Sequence, residues 1–227
     1  MEGITGALFR RTHRRFFPGV DRYFMPFLSP SQHHVFTRRE LRDILPEQDG
    51  DLDAVPQLLT RSGADFLWAA GELARMGYRE VNLNLGCPSG TVVAKGKGAG
   101  MLADPSALDG FLETIFSADL GGVAISVKTR LGLELPEEFQ ALAEVFARYP
   151  ISLLILHPRV REDYYKVPVR EEEFEKALPQ IHCPLCYNGA LVSAEDCART
   201  EKKFPMLQGL MMGQGLIADP ALARKAR

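Results

Sequence analysis

Short apolar or β-branched runs alternate with helical patterns along most of this chain. The clearest run is Val81-Asn82-Leu83-Asn84-Leu85, where apolar and amide side chains alternate with the two-residue period of a β-strand. Comparable runs predict further strands at Tyr23–Leu28, 54–60, 123–129, 152–157, 184–188 and 209–213. The face opposite the apolar side chains of 81–85 carries two carboxamides, which need hydrogen-bond partners if they are buried.

Helix signals lie between these strands. One helix is predicted to begin near Ala7, and an apolar stripe at helical spacing through Leu67 and Leu73 ends at Gly77. Capping or proline signals mark further helix starts at Asp104-Pro105, Pro136, Ser193 with Asp196, and Asp219-Pro220. Regular alternation of strands and helices predicts a parallel α/β architecture, which we read as one domain over residues 1–227.

The predicted strands number seven, one fewer than a closed (β/α)8 TIM barrel requires. Residues 1–6 read as a loop that leads directly into the first helix, and the last helix is cut short. We therefore expect a TIM barrel truncated at both ends, with its first strand missing.

Unusual polar and glycine residues fall at the carboxyl ends of six predicted strands. They are Gln57, Asn84 with Cys87, Lys128, His157, Asn188-Gly189 and Gly213-Gln214-Gly215. In a parallel barrel these ends share one face, where active sites are built, and the loops of the last two strands commonly hold a phosphate. The pattern predicts a pocket for a phosphorylated cofactor, with a thiol, a lysine and a histidine around it.

Composition narrows the class of protein. With 46% hydrophobic and 25% charged residues and a net charge of −2, the chain has an ordinary globular balance. It has no apolar run of membrane-spanning length and no signal-peptide pattern, and its four cysteines fit a reducing cytoplasm. Cys183 and Cys186 have CxxC spacing, but they run into a strand and lack a second pair of ligands, so we expect no metal site.

Basic residues cluster near the predicted pocket, although the protein as a whole is mildly acidic. The clusters are Arg10, Arg11, His13, Arg14 and Arg15 after the first loop; Lys95 and Lys97 after the cysteine; and Arg159, Arg161 and Lys166 after the histidine. Tyr164 and Tyr165 lie among them and could stack on an extruded base. A cationic face of this kind favours a polyanion such as RNA.

Several of these segments together resemble one known family, the tRNA-dihydrouridine synthases. The resemblance rests on Asn82-Leu83-Asn84-Leu85-Gly86-Cys87-Pro88, Val127-Lys128-Thr129-Arg130-Leu131-Gly132, His157-Pro158-Arg159, Asn188-Gly189, Gly213-Gln214-Gly215 and Met1-Glu2-Gly3-Ile4-Thr5. It runs from Met1 to about Pro220. It implies an FMN-dependent barrel that reduces the C5–C6 bond of uridines in tRNA with electrons from NADPH.

The resemblance also implies individual roles. Cys87 would be the general acid that protonates C5, so its thiol should stay protonated. The flavin would be held by Met1, Lys128, His157, Asn188, Gly189, Ala190, Gly213 and Gln214, with the last strand ends around its phosphate. Gln57 and Asn84 would hold either the isoalloxazine edge of the flavin or the substrate base. Independently of the resemblance, the basic and aromatic residues near the pocket predict that Lys95, Lys97, Arg159, Arg161 and Tyr164 contact RNA. The expected partner is tRNA, and the protein is expected to be a cytoplasmic monomer without membrane contact.

Two departures from the family pattern are visible. Gln214 stands where an arginine is usual, and Ala190 stands where an acidic residue often follows Asn-Gly. We also expect the C-terminal helical domain, which in the family helps to bind tRNA, to be missing. Two other functions stay open at this stage. One is a flavin-dependent reductase of a free pyrimidine, like dihydroorotate or dihydropyrimidine dehydrogenase. The other is a non-catalytic RNA-binding fragment.

Overall fold

The computed structural model describes residues 1–227 and contains one parallel sheet whose seven strands follow each other in chain order. The strands are β1 Tyr23–Leu28, β2 Ala54–Leu58, β3 Glu80–Leu85, β4 Ala124–Gly132, β5 Leu154–Val160, β6 Leu185–Asn188 and β7 Gly209–Met211. All seven predicted strands are therefore confirmed. β1 pairs only with β2 and β7 only with β6, so the sheet is a curled half-barrel rather than a closed one.

Helices connect consecutive strands. The α-helices are α1 Ala7–Phe16, α2 Arg38–Ile44, α3 Gly63–Arg75, α4 Gly90–Val93, α5 Pro105–Phe116, α6 Phe139–Phe146, α7 Glu171–Ala177, α8 Ala194–Lys203, α9 Gln214–Ala218 and α10 Leu222–Lys225. Short 3-10 turns lie at Pro46–Gln48, Gly98–Ala103, Pro136–Glu138 and Leu178–Gln180. The architecture is that of a (β/α)8 barrel that lacks one strand, as predicted, and residues 1–6 contain no strand.

The predicted helix signals have the expected geometry in most places. The Asp104 side chain caps α5, and Ser193 and Asp196 form a reciprocal capping box on α8. Gly77 follows α3 with a φ of +98°, a conformation that glycine adopts without a steric penalty. Two predicted helix starts differ from the structure. Pro136 begins a 3-10 turn that precedes α6, and the last helix begins at Leu222 rather than at Asp219.

The two faces of the sheet have different chemistry. Val81, Leu83 and Leu85 are fully buried in the main apolar cluster, which joins the outer face of the sheet to the helices. The alternate residues Asn82 and Asn84 face the other way, into the barrel, where the register places them beside Ser126 and Lys128. The apolar core therefore lies outside the sheet, and the interior carries polar side chains.

β4 and β5 continue three residues beyond their predicted ends. Arg130 pairs with His157 and Gly132 with Val160 across these strands, so the regular sheet carries charged side chains to the edge of the barrel. The prediction ended each strand at the last residue before the charged segment. The backbone hydrogen bonds between the two strands instead continue through these residues, because their side chains have partners inside the protein.

The predicted basic cluster at the start of the chain is only partly on the surface. Arg10 is fully buried, where it forms a two-bond ion pair with Asp49 and donates to the Thr5 and Asp43 carbonyls. His13 is also buried, between the Tyr23 hydroxyl and the Pro220 carbonyl. The expectation that these two residues face RNA is therefore wrong, because both tie α1 to the rest of the barrel.

Candidate active site at the carboxyl ends of the strands

A chain of carboxamides crosses the barrel interior from β2 to β4. Gln57 Nε2 donates to Asn82 Oδ1 at 2.8 Å, and Asn82 Nδ2 donates to Ser126 Oγ at 2.9 Å. Gln57 Oε1 in turn accepts from Asn84 Nδ2 at 2.7 Å. All four side chains are buried, and their hydrogen bonds offset the cost of placing polar groups inside the barrel. Barrel interiors are usually filled by branched apolar side chains, so this interior is specialised.

Asn84 also fixes the loop that carries the thiol. Its Oδ1 accepts from the backbone N–H groups of Gly86 at 3.1 Å and Cys87 at 2.9 Å. On the other side of the loop, Ala99 N–H donates to the Cys87 carbonyl, and Gly98 adopts a φ of +57°. A Cβ on Gly98 would lie 2.9 Å from the Cys87 carbonyl oxygen and 3.0 Å from its Cβ. Position 98 of the glycine-rich segment 95–100 therefore has to be a glycine for this segment to pack against Cys87.

The environment of Cys87 favours a protonated thiol. Burial raises the pKa of the Cys87 thiol above its ordinary value, and the Ser89 backbone N–H and the charges of Arg130 and Lys128 oppose this shift only in part. A nucleophilic cysteine usually shows the opposite shift, because the thiolate is the reactive form. The side chain is half-buried, so it is accessible at the mouth of the barrel. These properties suit a proton donor.

Lys128 lies beside Asn84 in the register of β3 and β4. Burial, with a further contribution from Arg130, lowers the pKa of the Lys128 ammonium to about 8, and no hydrogen bond from the chain contributes to that shift. A half-buried cation without an internal partner is typical of a group that binds a ligand.

Arg130 is a site residue to which the sequence analysis assigned no role. It is 1% exposed, and its guanidinium donates to the carbonyls of Gly86 at 2.9 Å, Val160 at 3.0 Å and Tyr164 at 3.1 Å. It also lies 5.3 Å from the ring centroid of Tyr165. Arg130 thus ties the loop of Cys87 to the loop after β5.

His157 is held as a neutral imidazole. Burial and the nearby charges of Lys128, Arg130 and Arg159 lower its pKa far below the ordinary value. Arg159 Nη1 lies 3.0 Å from His157 Nε2, and since arginine can only donate, Nε2 accepts and the ring proton is on Nδ1. The chain provides no partner for this Nδ1–H. The ring packs on Gly189, where a Cβ would lie 3.1 Å from His157 Cδ2.

The structure places Arg159 inside rather than on an RNA-facing surface. Arg159 is 8% exposed, and its Nε donates to the Val167 carbonyl while Nη1 contacts His157. Its position two residues after His157 places it on the same face of β5, and this spacing was the available signal for its role. Arg159 orients the imidazole and helps to keep it neutral.

The predicted phosphate loops come together at the ends of β6 and β7. Asn188 Nδ2 donates to the Met211 carbonyl at 2.8 Å and so joins the two strands. Gly189 and Ala190 follow with φ values of +151° and +51°, and Ala190 is exposed. Gly213 precedes α9, and the exposed Gln214 begins it. Met1 Sδ lies 3.9 Å from the position of a Cβ on Gly213, so Met1 belongs to this end of the barrel.

The residues predicted to contact RNA are spread around the rim. Lys95 is exposed, and Lys97 Nζ donates to Ser29 Oγ at 3.0 Å. Arg161 forms an ion pair with Glu162 and lies over the Tyr164 ring, at 5.0 Å from its centroid. Tyr165 rather than Tyr164 lies next to His157, with ring centroids 6.1 Å apart. The two tyrosines were indistinguishable from sequence because nothing indicated that Tyr164 adopts a φ of +47°.

Other side chains missed by the sequence analysis carry a recognisable signal. Asn82 and Ser126 precede Asn84 and Lys128 by two residues, and Arg130 follows Lys128 by two. A strand presents every second residue to the same face, so the two-residue period could have identified all three from the residues already selected. Tyr165 carried no comparable signal.

All four cysteines are free thiols, and no group of three or more histidine, cysteine, aspartate or glutamate side chains is arranged to hold a metal ion. None of the helices combines the length and the apolar character that a bilayer crossing requires.

The fold and the site define a class, that of parallel α/β-barrel proteins with a candidate active site at the carboxyl ends of the strands. Solved structures of this fold include a variant of NCR from Zymomonas mobilis, with a TM-score of 0.64 and 14% identity over 99% of this chain and 82% of that one. Histamine dehydrogenase from Rhizobium sp. 4-9 matches with a TM-score of 0.68 and 15% identity over 98% of this chain and 44% of that one. At such identities the likeness concerns the fold alone.

The sequence identifies the family within this class. The family model described as "Dihydrouridine synthase (Dus)" matches residues 1–227, and the chain belongs to this family. The resemblance noted from the motifs is thereby confirmed.

Curated relatives carry matching names. A probable tRNA-dihydrouridine synthase of Staphylococcus aureus is 35% identical over 227 residues, which cover 97% of this chain and 67% of the relative. A tRNA-dihydrouridine(16) synthase of Ralstonia nicotianae is 28% identical over 175 residues, covering 76% of this chain and 53% of the relative. The chain thus spans about half to two thirds of the length of these relatives.

Proposed function

We propose that this protein reduces the C5–C6 bond of uridine in tRNA, with FMN as its cofactor, NADPH as the electron donor and Cys87 as the general acid. The observation that carries the proposal is the thiol of Cys87. It is fixed by Asn84 at the mouth of the barrel, and burial raises its pKa so that it keeps its proton. Family membership and the names of the relatives support uridine in tRNA as the substrate. Such a reaction belongs in the cytoplasm.

The residues around the barrel mouth fit FMN. The Lys128 ammonium and the Nδ1–H of His157 are donors without a partner in the chain, and Gln57 and Asn84 each keep one amide N–H free of the internal network. FMN has carbonyl and phosphate acceptors for such donors. When bound, FMN supplies the hydride that is added at C6 of the uracil.

The phosphate of FMN would lie against the loops after β6 and β7. Gly189 and Gly213 leave room for backbone N–H groups there, with Asn188, Ala190 and Gln214 beside them and Met1 next to Gly213. Because Gln214 is uncharged, these loops would bind phosphate through backbone dipoles rather than through an ion pair. We expect weaker FMN binding than an arginine at this position would give.

The chain's own residues have separate tasks in the reaction. Cys87 donates its proton to C5 of the uracil as the double bond is reduced, and the resulting thiolate is reprotonated from solvent. Asn84 and Gly98 hold the thiol in position. Lys128 places positive charge where negative charge develops, which is the kind of electrostatic stabilisation that fixed donors provide best. Arg159 keeps His157 neutral and presents its Nδ1–H as a donor.

The first test is the visible absorption spectrum of the purified protein, with identification of any released flavin and titration with FMN. The decisive comparison is then Cys87→Ala against Cys183→Ala, a half-buried thiol just before β6 at the opposite end of the sheet. Cys87→Ala should leave flavin reduction by NADPH intact and slow uridine reduction by about 10²- to 10⁴-fold. Cys183→Ala should change neither.

Three outcomes would contradict the proposal. If the protein bound no flavin even with added FMN, the assignment of the cofactor would be wrong. If Cys87→Ala reduced uridine as fast as the wild type, the role of Cys87 as general acid would be wrong. Faster reduction of free uracil or orotate than of tRNA would favour the free-pyrimidine reductase. A preference for NADH over NADPH would change only the identity of the electron donor.

A further inference from the structure

Three loops meet beside Cys87 and form a continuous rim. They are the loop 29–37 after β1, the loop 59–62 after β2 and the glycine-rich segment 95–100 after β3, and each follows the carboxyl end of a strand. Lys97 Nζ donates to Ser29 Oγ at 3.0 Å, and Ser29 Oγ donates to the Leu59 carbonyl at 3.2 Å. A Cβ on Gly96 would lie 3.4 Å from Arg61 Cδ and Nη1. Since Gly98 packs on Cys87, this rim borders the thiol directly.

The rim carries positive charge that the chain does not use. Arg61 and Lys95 are exposed and make no salt bridge, and Lys97 bonds only to a hydroxyl. The carboxylates nearby are already occupied: Glu40 accepts from Thr37 and the Ser29 N–H, and Asp65 accepts from His34. Three side chains are therefore free to bind an anion on either side of Gly96.

An aromatic stack completes the rim. The His34 ring lies parallel to the Trp68 ring, with centroids 5.0 Å apart and an angle of 3°, and Phe36 packs on Trp68 at 4.8 Å. The His34 side chain is 40% exposed, so it is the outer member of the stack. Its backbone has a φ of +52°, and Asp65 holds its Nε2 at 3.2 Å. A side chain other than glycine in this strained conformation, fixed at two points, is typical of a functional position.

We propose that this rim binds the single-stranded RNA next to the target uridine. Arg61, Lys95 and Lys97 contact backbone phosphates, and a neighbouring base stacks on the exposed His34 ring. The inference rests on the proposed function, whose substrate it locates. Cations along a groove combined with an exposed aromatic ring are the features that recognise single-stranded nucleic acid without regard to sequence. A duplex lacks unstacked bases and does not fit the stack.

Trp68 provides a direct readout because it is the single tryptophan of the chain. The probe is a single-stranded RNA of about ten nucleotides, a length within the range of known single-strand sites. Titration of the full chain with this RNA should quench Trp68 fluorescence, and a duplex of the same length should not. His34→Asn keeps a residue that tolerates positive φ but removes the ring. It should weaken binding roughly 5- to 100-fold without changing the salt dependence.

The charge contribution is measured separately. Arg61→Gln should reduce the slope of log K against log salt by about 0.7, the value for one phosphate contact on a single strand. The matched control is Arg79→Gln, an exposed arginine just before β3 at the opposite end of the sheet, and it should leave slope and affinity unchanged. Absence of Trp68 quenching, equal quenching by duplex, or equal effects of His34→Asn and Arg79→Gln would overturn the proposal.

The test separates this inference from the proposed function because it uses neither flavin nor NADPH. If RNA quenched Trp68 fluorescence with the expected salt dependence but the protein did not reduce uridine, RNA binding at the rim would be supported and the proposed reaction contradicted. Uridine reduction with unchanged KM for tRNA in both His34→Asn and Arg61→Gln would support the reaction and contradict the rim.

Discussion

The hydrogen bonds of Asn84 give a quantitative prediction about how the thiol is positioned. Asn84→Ala removes two bonds to the backbone N–H groups of Gly86 and Cys87 and one to Gln57 Oε1. A buried polar group left without a partner costs about 1–3 kcal/mol. Because the Cys87 N–H is only partly buried and can recruit water, we take the lower end for all three groups. The expected loss is about 3 kcal/mol in the free energy of unfolding.

Asn84→Asp is the matched control because it is nearly isosteric. Either carboxylate oxygen can accept from Gly86 and Cys87, and only the donor to Gln57 is lost. Rotation of the Gln57 and Asn82 amides, with the Ser126 hydroxyl as donor at the end of the network, restores the missing bond. The number of hydrogen bonds is thereby kept, so the aspartate variant should lose no more than about 1 kcal/mol, the value of one net hydrogen bond.

Urea unfolding followed by circular dichroism measures both losses, provided that the slope m is the same in the three proteins. Alkylation of Cys87 under native conditions reports the loop itself, and it should be faster in Asn84→Ala than in the wild type and in Asn84→Asp. A loss below about 1 kcal/mol in Asn84→Ala, together with wild-type alkylation, would refute the conclusion that Asn84 holds the loop.

Two further predictions concern pH and the phosphate loops. Since the pKa of Lys128 is lowered to about 8, its positive charge is lost as pH rises through 8, and uridine reduction should fall there; Lys128→Arg should move that fall to higher pH in a pH–rate profile. Ala190 has a φ of +51°, so Ala190→Gly should raise the free energy of unfolding by about 0.5–1 kcal/mol in urea titrations. Ala198→Gly, at an exposed position inside α8, should lower it by about 1 kcal/mol, and equal effects of these two glycines would contradict the argument.

The sequence predicted those features that depend on local patterns. Short apolar or β-branched runs located every strand, and the caps at Asp104 and Ser193 follow from side chains that bond to amides two or three residues away. Cys87, Lys128 and His157 were found at the barrel mouth because the carboxyl ends of parallel strands share one face. These inferences need only the period of a strand and the direction of the chain.

The features that sequence reasoning missed depend on contacts between distant residues. Arg10 is buried because it pairs with Asp49, 39 positions later, and nothing near Arg10 in the sequence indicates that partner. Arg159 was assigned to the surface because its bond to the Val167 carbonyl requires the loop after β5 to fold back, whereas its contact with His157 lies within β5. Sequence reasoning predicts that a charged residue is exposed as long as its ion-pair or hydrogen-bond partner in the fold is unknown.

The electrostatics of the site explain why it suits an anionic ligand. Lys128, Arg130 and Arg159 all act on His157, and burial lowers the pKa of each of these three cations. Asp163 offsets some of this charge, but it is also bound by two hydrogen bonds to Arg170. The unbalanced positive charge costs folding free energy that a phosphate or a developing negative charge would recover. Ligand binding of this kind raises apparent stability by mass action, so FMN and RNA should each stabilise the protein to an extent set by the ratio of their concentration to their Kd.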